Sequence, residues 1–62
     1  MTFKEELPKY YEIDGDIYVK IFLDGDEIRA VNHQGMPYEP FRAVRNGIRI
    51  SRAEFEQAVF GK

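Results

Sequence analysis

The fold is decided by residues 10–32, YYEIDGDIYVKIFLDGDEIRAVN, in which two Asp-Gly-Asp triplets interrupt runs of apolar residues. The triplets occupy residues 14–16 and 24–26. Asp-Gly is typical of the tight turns that join antiparallel strands, because glycine adopts a positive φ and aspartate hydrogen-bonds its own backbone. The stretch therefore predicts a three-stranded antiparallel meander, with strands over residues 9–13, 16–23 and 27–32.

The register of this meander follows from the side chains that alternate along each strand. A three-residue loop over residues 14–16 pairs Ile13 with Ile17, and a two-residue loop over residues 24–25 pairs Ile21 with Ile28. Because successive side chains point to opposite faces, one face becomes aliphatic and the other aromatic and charged. The predicted aliphatic face carries Tyr11, Ile13, Ile17, Val19, Ile21, Leu23, Ile28 and Ala30. The predicted aromatic face carries Tyr10, Glu12, Tyr18, Lys20, Phe22, Glu27, Arg29 and Val31.

A C-terminal helix is expected to cover the aliphatic face. Ser51 and Glu54 have the spacing of a capping box, in which each side chain satisfies a backbone N–H group of the first helical turn. Phe55 and Val59 recur at helical spacing, and a glycine follows where helices commonly end. The pattern predicts a helix over Arg52–Phe60.

The stretch between meander and helix is less regular. One glycine and two prolines predict a loop over residues 33–40. Residues 40–47 fit either a short helix that begins at Pro40 and ends before Gly47, or the first arm of a hairpin. We favour the short helix, followed by a short fourth strand over Ile48–Ile50 with both isoleucines inside.

Together these elements predict an α+β fold in which a three-stranded meander, with or without the fourth strand, packs one face against a C-terminal α-helix. Residues 1–8 are polar and end in proline, so we expect a flexible N-terminal arm followed by a single small domain over residues 9–62. A domain of 62 residues buries only about 60% of the surface of its unfolded chain. A hydrophobic content of 44%, including 15% aromatic residues, still indicates a folded core.

Composition also excludes several classes of protein. The chain has no cysteine, so neither a disulfide framework nor a thiolate zinc site can form. Its N-terminus lacks the apolar stretch of a signal peptide, and no apolar run approaches the length of a membrane span. We therefore expect a cytoplasmic protein that does not associate with membranes.

No pattern indicates a metal site, a cofactor or catalysis. The Asp-Gly-Asp triplets resemble part of a calcium loop, but position 12 of such a loop must be glutamate. Counted from Asp14 or from Asp24, that position is Gly25 or Gly35. His33 is the only histidine, and no nucleophile-base pattern surrounds it. We predict a protein that is not an enzyme and that needs neither metal nor cofactor.

The aromatic face is the most informative candidate surface. Protein interfaces favour aromatic and arginine anchors, so the first hypothesis is a binding or regulatory module that contacts an unidentified protein partner. Its anchors would be Tyr10, Tyr18, Phe22 and Tyr38, with Lys20 and Arg29 at the rim. The alternative within this view is that residues 33–41 fold back and bury those rings in a second core.

Two further hypotheses use other features. Single-stranded nucleic acid could stack on the same rings while Arg42, Arg45 and Arg49 neutralise phosphate, but an isoelectric point of about 5.3 opposes this. A structural homodimer could form through the edge of so small a sheet, because edge strands offer backbone groups that lack a strand partner.

Overall fold

A computed structural model describes residues 6–61. These residues form one antiparallel sheet and two helices, so the α+β class is confirmed. The five strands lie in the order β4-β3-β2-β1-β5. The elements in chain order are β1 (Lys9–Ile13), β2 (Ile17–Asp24), β3 (Glu27–Asn32), β4 (Pro37–Tyr38), α1 (Pro40–Asn46), β5 (Ile48–Ile50) and α2 (Arg52–Phe60).

The first turn of the meander has the predicted geometry. Ile13 pairs with Ile17 across a three-residue loop, and the Asp16 N–H group donates to the Ile13 carbonyl over 3.1 Å. Asp14 and Gly15 both have positive φ, at 54° and 74°. Aspartate and glycine tolerate this conformation better than most residues, which is why the triplet can turn the chain here.

The second turn differs from its predicted register by two residues. Ile21 pairs with Ala30 rather than with Ile28, because the loop consists of Gly25 and Asp26, between the paired Asp24 and Glu27. Gly25, with φ of 66°, supplies the positive φ that a type II′ turn requires at its first central position. A shift of two residues preserves the alternation, so every side chain keeps its predicted face.

Two short strands extend the meander at its edges. β5 is the predicted fourth strand, and it pairs with β1. β4 lies within the predicted loop over residues 33–40, and it pairs Tyr38 with Ala30 of β3. The Asn32 side-chain oxygen accepts hydrogen bonds from the backbone N–H groups of Gln34 and Met36, which returns the chain to the sheet. A strand of two residues has no periodicity, so no pattern could predict it.

The short helix predicted over residues 40–47 is confirmed, and it covers the aliphatic face. Ala43 of α1 is fully buried in the cluster that contains Val19 and Ile21. The helix ends at Gly47, where a Cβ atom would lie only 2.6 Å from the Ala43 carbonyl oxygen and 3.1 Å from the Ile13 side chain. Two small residues thus allow α1 to approach the sheet closely.

The predicted position of the C-terminal helix is wrong. α2 has the predicted bounds and a complete capping box between Ser51 and Glu54. However, the Phe55 ring packs on Tyr10, which belongs to the aromatic face, with ring centroids 5.0 Å apart. α1 already occupies the aliphatic face, and β5 places Ile50 beside Tyr10, so the chain enters α2 on the opposite side.

The sheet therefore lies between two helices. We call the side that contains Tyr11, Ile13, Val19, Ile21 and Ala30 the α1 face. We call the side that contains Tyr10, Glu12, Tyr18, Lys20 and Phe22 the α2 face.

The described part of the predicted N-terminal arm contacts the domain. Leu7 packs against the core, and the Glu6 carboxylate lies 2.8 Å from the ammonium of the buried Lys9. Residues 1–5 of the predicted arm lie outside the described residues. No helix within residues 6–61 is long and apolar enough to span a membrane.

Candidate functional site

α2 leaves a groove on each of its two sides where it crosses the α2 face. The first, which we call the Lys20 groove, has a volume of about 180 Å³. Its lining consists of Tyr10, Lys20, Arg52, Phe55, Glu56, Val59 and Phe60. The second, which we call the Tyr18 groove, has a volume of about 250 Å³. Its lining consists of Glu12, Tyr18, Glu54, Gln57 and Ala58.

The apolar part of the Lys20 groove comes mainly from α2. Tyr10 and Phe55 form its base and are each 9% exposed, since their rings pack on one another. Val59 is half-buried, whereas the Phe60 side chain at the end of the helix is 78% exposed. The groove is therefore open at the end of α2, where a large ring borders its entrance.

Lys20 supplies the distinctive charge of the groove. Its ammonium lies 5.9 Å from the centroid of the Phe22 ring, within the range of a cation–π contact. Among residues 6–61 it makes no ion pair within 4.0 Å, although it is half-buried. Arg52, by contrast, contacts the Glu56 carboxylate over 2.9 Å, and this hydrogen bond raises the pKa of the guanidinium.

The Tyr18 groove is acidic, and its tyrosine already has a partner. The Tyr18 backbone N–H group donates to the Nδ1 atom of His33 over 3.3 Å. The two rings meet edge to face with their centroids 5.6 Å apart. His33 thus packs against the sheet beside its loop, and Glu12 and Glu54 give this groove a negative charge.

The structure brings only some of the predicted site residues together. Tyr10 and Lys20 line the Lys20 groove, and Phe22 lies beside Lys20. Arg29 is exposed on the same face, but its guanidinium contacts Asp24 over 3.1 Å and Glu27 over 3.4 Å. Tyr18 belongs to the other groove.

The remaining predicted residues lie away from the α2 face. Tyr38 packs against the aliphatic core, because its strand pairs it with Ala30. Arg49 is in register with Tyr11 and so belongs to the α1 face. Arg42 and Arg45 are exposed on α1, which covers that same face.

Residues 33–41 contact the aromatic face at Tyr18, on which the His33 ring packs edge to face, whereas Tyr10 is covered by α2. The side chains of α2 that line the Lys20 groove, Arg52, Glu56, Val59 and Phe60, were not predicted as site residues. The helix that carries them was predicted, but on the opposite face of the sheet. Ile48 and Ile50, expected inside, share the α2 face with Tyr10 and Glu12, and Ile48 is 70% exposed.

Metal-ion chemistry has no visible site in the described part of the chain. Within residues 6–61, no three His, Cys, Asp or Glu side chains lie close enough together to hold a metal ion. No buried side-chain nitrogen or oxygen among these residues lacks a hydrogen-bond partner. Within the described residues, side-chain nitrogen and oxygen atoms that could bind a ligand therefore lie at the grooves and on the outer surface.

Comparison with known proteins adds no functional assignment. No protein-family model, curated protein or solved structure matches this chain. The geometry of the Lys20 groove is therefore the strongest guide to function.

Proposed function

We propose that this protein is a small non-catalytic binding module that holds a protein partner at the Lys20 groove. The observation that carries the proposal is the exposure of Phe60, a residue that is 78% exposed beside the half-buried Val59. Protein interfaces are enriched in aromatic residues, and their energetic anchors cluster in well-packed pockets.

The size of the groove favours a protein partner over a small-molecule substrate. Its volume of about 180 Å³ lies below the range of about 300–1,000 Å³ that small-molecule sites occupy. A groove of this size can accept one side chain of a partner that extends over the surrounding surface. We therefore propose binding without catalysis.

The anchors of this proposal differ from those that the sequence suggested. Tyr10 is 9% exposed beneath Phe55, so it supports the groove and does not reach a partner. Tyr18 contacts His33 on the other side of α2. Of the contact residues predicted from the sequence, Phe22 and Lys20 are retained in this proposal. Phe60 is added to them.

A pair of variants tests the proposal. Phe60→Ser removes the exposed ring of the groove, whereas Met36→Ser removes an apolar side chain that is 58% exposed in the loop between β3 and β4. We expect affinity capture followed by quantitative mass spectrometry to find a partner with the wild type and with Met36→Ser. Phe60→Ser should lower the affinity for that partner by about tenfold, because loss of an anchor commonly costs more than about 1 kcal/mol.

Circular dichroism of both variants provides the control for folding. Equal recovery of the same partners by the wild type and by a folded Phe60→Ser variant would contradict the proposal. A partner lost equally from both variants would place the contact elsewhere on the surface.

The alternative function in nucleic-acid binding has less geometric support. It needed the aromatic rings and the arginines on one surface, but Arg42, Arg45 and Arg49 lie on the side of α1. Its test is a titration with a single-stranded oligonucleotide, in which affinity should fall steeply with salt if phosphate contacts carry it. Binding that is absent at low ionic strength would eliminate this function.

The homodimer alternative is disfavoured by the short edge strands in the described part of the sheet. β4 has two residues, one of them Pro37, and β5 has three. Short edge strands and prolines disfavour strand addition.

A cytoplasmic location also stays a prediction, which imaging of a tagged protein would test.

A further inference from the structure

We further propose, on the basis of the proposed function, that the partner contributes an acidic peptide segment to the Lys20 groove. This segment inserts one large apolar side chain beside Phe60 and places a carboxylate on the Lys20 ammonium.

Charge complementarity favours an acidic segment at the Lys20 groove. Arg52 is neutralised by Glu56, and Arg29 by Asp24 and Glu27. Lys20 has no such ion pair among residues 6–61, and its half-buried position removes part of its hydration. A carboxylate from a partner would supply a charge-assisted hydrogen bond and offset that desolvation.

The position of Lys20 favours recognition of a defined segment. The residue lies in the middle of β2, hydrogen-bonded on both sides by β1 and β3, and its ammonium rests near the Phe22 ring. Its charge is therefore held close to the apolar surface of Val59 and Phe60. An acidic residue adjacent to a large apolar residue matches this arrangement.

The Tyr18 groove explains why the segment should bind on only one side of α2. Glu12 and Glu54 line that groove and would repel a second carboxylate. The two grooves share the same helix and sheet, so they provide an internal control. An acidic peptide should perturb residues near Lys20 and leave those near Glu54 unchanged.

The experiment is an NMR titration of the full chain with three short probe peptides. The probes are acetyl-Glu-Phe-Glu-amide, acetyl-Gln-Phe-Gln-amide, which lacks the charge, and acetyl-Glu-Ala-Glu-amide, which lacks the ring. We expect the first peptide to shift the backbone amides of Lys20, Val59 and Phe60. Its affinity should exceed that of the glutamine peptide by about fivefold, the upper range for an accessible ion pair.

Lys20→Gln should abolish the difference between the glutamate and glutamine peptides while the ring-dependent shifts remain. Equal binding of these two peptides to the wild type would overturn the acidic-partner inference and leave the proposed groove intact. If none of the three peptides shifts the groove amides, both proposals are contradicted. If these amides instead shift with protein concentration alone, the occupant is a second copy of the chain, which also overturns the inference.

Discussion

The two faces of the sheet differ in how completely their helices cover them. On the α1 face, Val19, Ile21 and Ala43 are each 0% exposed. On the α2 face, Phe55 packs on Tyr10, but two grooves remain beside the helix and Phe60 stays exposed. The α1 face is thus a continuous core. The α2 face packs against a helix at its centre and leaves accessible surface beside that helix.

The residue at each helix contact accounts for this difference. Ala43 and Gly47 are small, so the backbone of α1 approaches β1 and the aliphatic side chains surround it. On the other side of the sheet, the Phe55 ring packs on Tyr10, and a groove remains on each side of α2. The comparison indicates that stability comes mainly from the α1 face, whereas the α2 face remains available for binding.

The largest effect is expected from shortening a side chain in the continuous core. Ile21→Ala should lower the free energy of unfolding by about 3 kcal/mol, because it leaves a cavity around a fully buried position. Urea denaturation followed by circular dichroism measures the change. The control is Ile48→Ala at a site that is 70% exposed, where about 0.5 kcal/mol or less is expected. Similar losses from both variants would contradict a core concentrated on the α1 face.

A matched pair of enlarged side chains compares the two helices directly. Ala43→Leu should destabilise the fold by about 2 kcal/mol, because the larger side chain has no space against the sheet. Ala58→Leu should change stability by less than about 0.5 kcal/mol, since Ala58 borders the Tyr18 groove. Alanine and leucine have similar helix propensities, so the difference reports packing. Equal effects in thermal or urea unfolding would show that both helices pack equally closely.

A smaller effect is expected from the caps of the two helices. Ser51→Ala removes the hydroxyl that accepts the Glu54 N–H bond and should cost about 1 kcal/mol. Glu39 occupies the same position before α1 but makes no side-chain cap bond, so Glu39→Ala should change little. Hydrogen exchange should accelerate more in α2 than in α1 of Ser51→Ala, because the lost bond lies at the start of α2. An equal acceleration in both helices would contradict a cap whose effect is mainly local to α2.

The smallest effect concerns the ion pair beside the α1 face. The hydrogen bond from Lys9, together with its charge, holds the pKa of the Glu6 carboxyl below its usual 4.5. A lowered folded-state pKa stabilises the fold above the unfolded value, and this contribution is lost as the pH falls through the folded value. The wild type should therefore exceed Glu6→Gln in stability at neutral pH, and the difference should vanish on acidification. A difference that is independent of pH in urea unfolding would contradict this account.

Local sequence signals predicted the elements of this fold other than β4. The Asp-Gly triplets identified both turns, Pro40 and Gly47 bounded α1, and the Ser51 capping box located the start of α2. Each signal acts through groups within a few residues of one another. They therefore appear in the sequence without knowledge of the tertiary contacts.

The sequence could not show which face each helix covers. Phe55 and Val59 could pack against either side of the sheet, because both faces present apolar or aromatic side chains. The two-residue register shift was also invisible, since it leaves every residue on the same face. Lys20 and Phe22 were thus predicted on the face that contains the Lys20 groove, whereas the residues of α2 that line this groove were not predicted as site residues.

The accessibility of the aromatic rings to a soluble paramagnetic probe tests the central claim most directly. We expect the Phe60 ring protons to broaden strongly, whereas those of Tyr10 and Phe55 should stay protected between α2 and the sheet. This result would confirm an α2 face that is covered at its centre and open at the end of the helix. Strong broadening of Tyr10 together with Phe60 would show that α2 does not cover the sheet, and protection of Phe60 would remove the proposed binding surface.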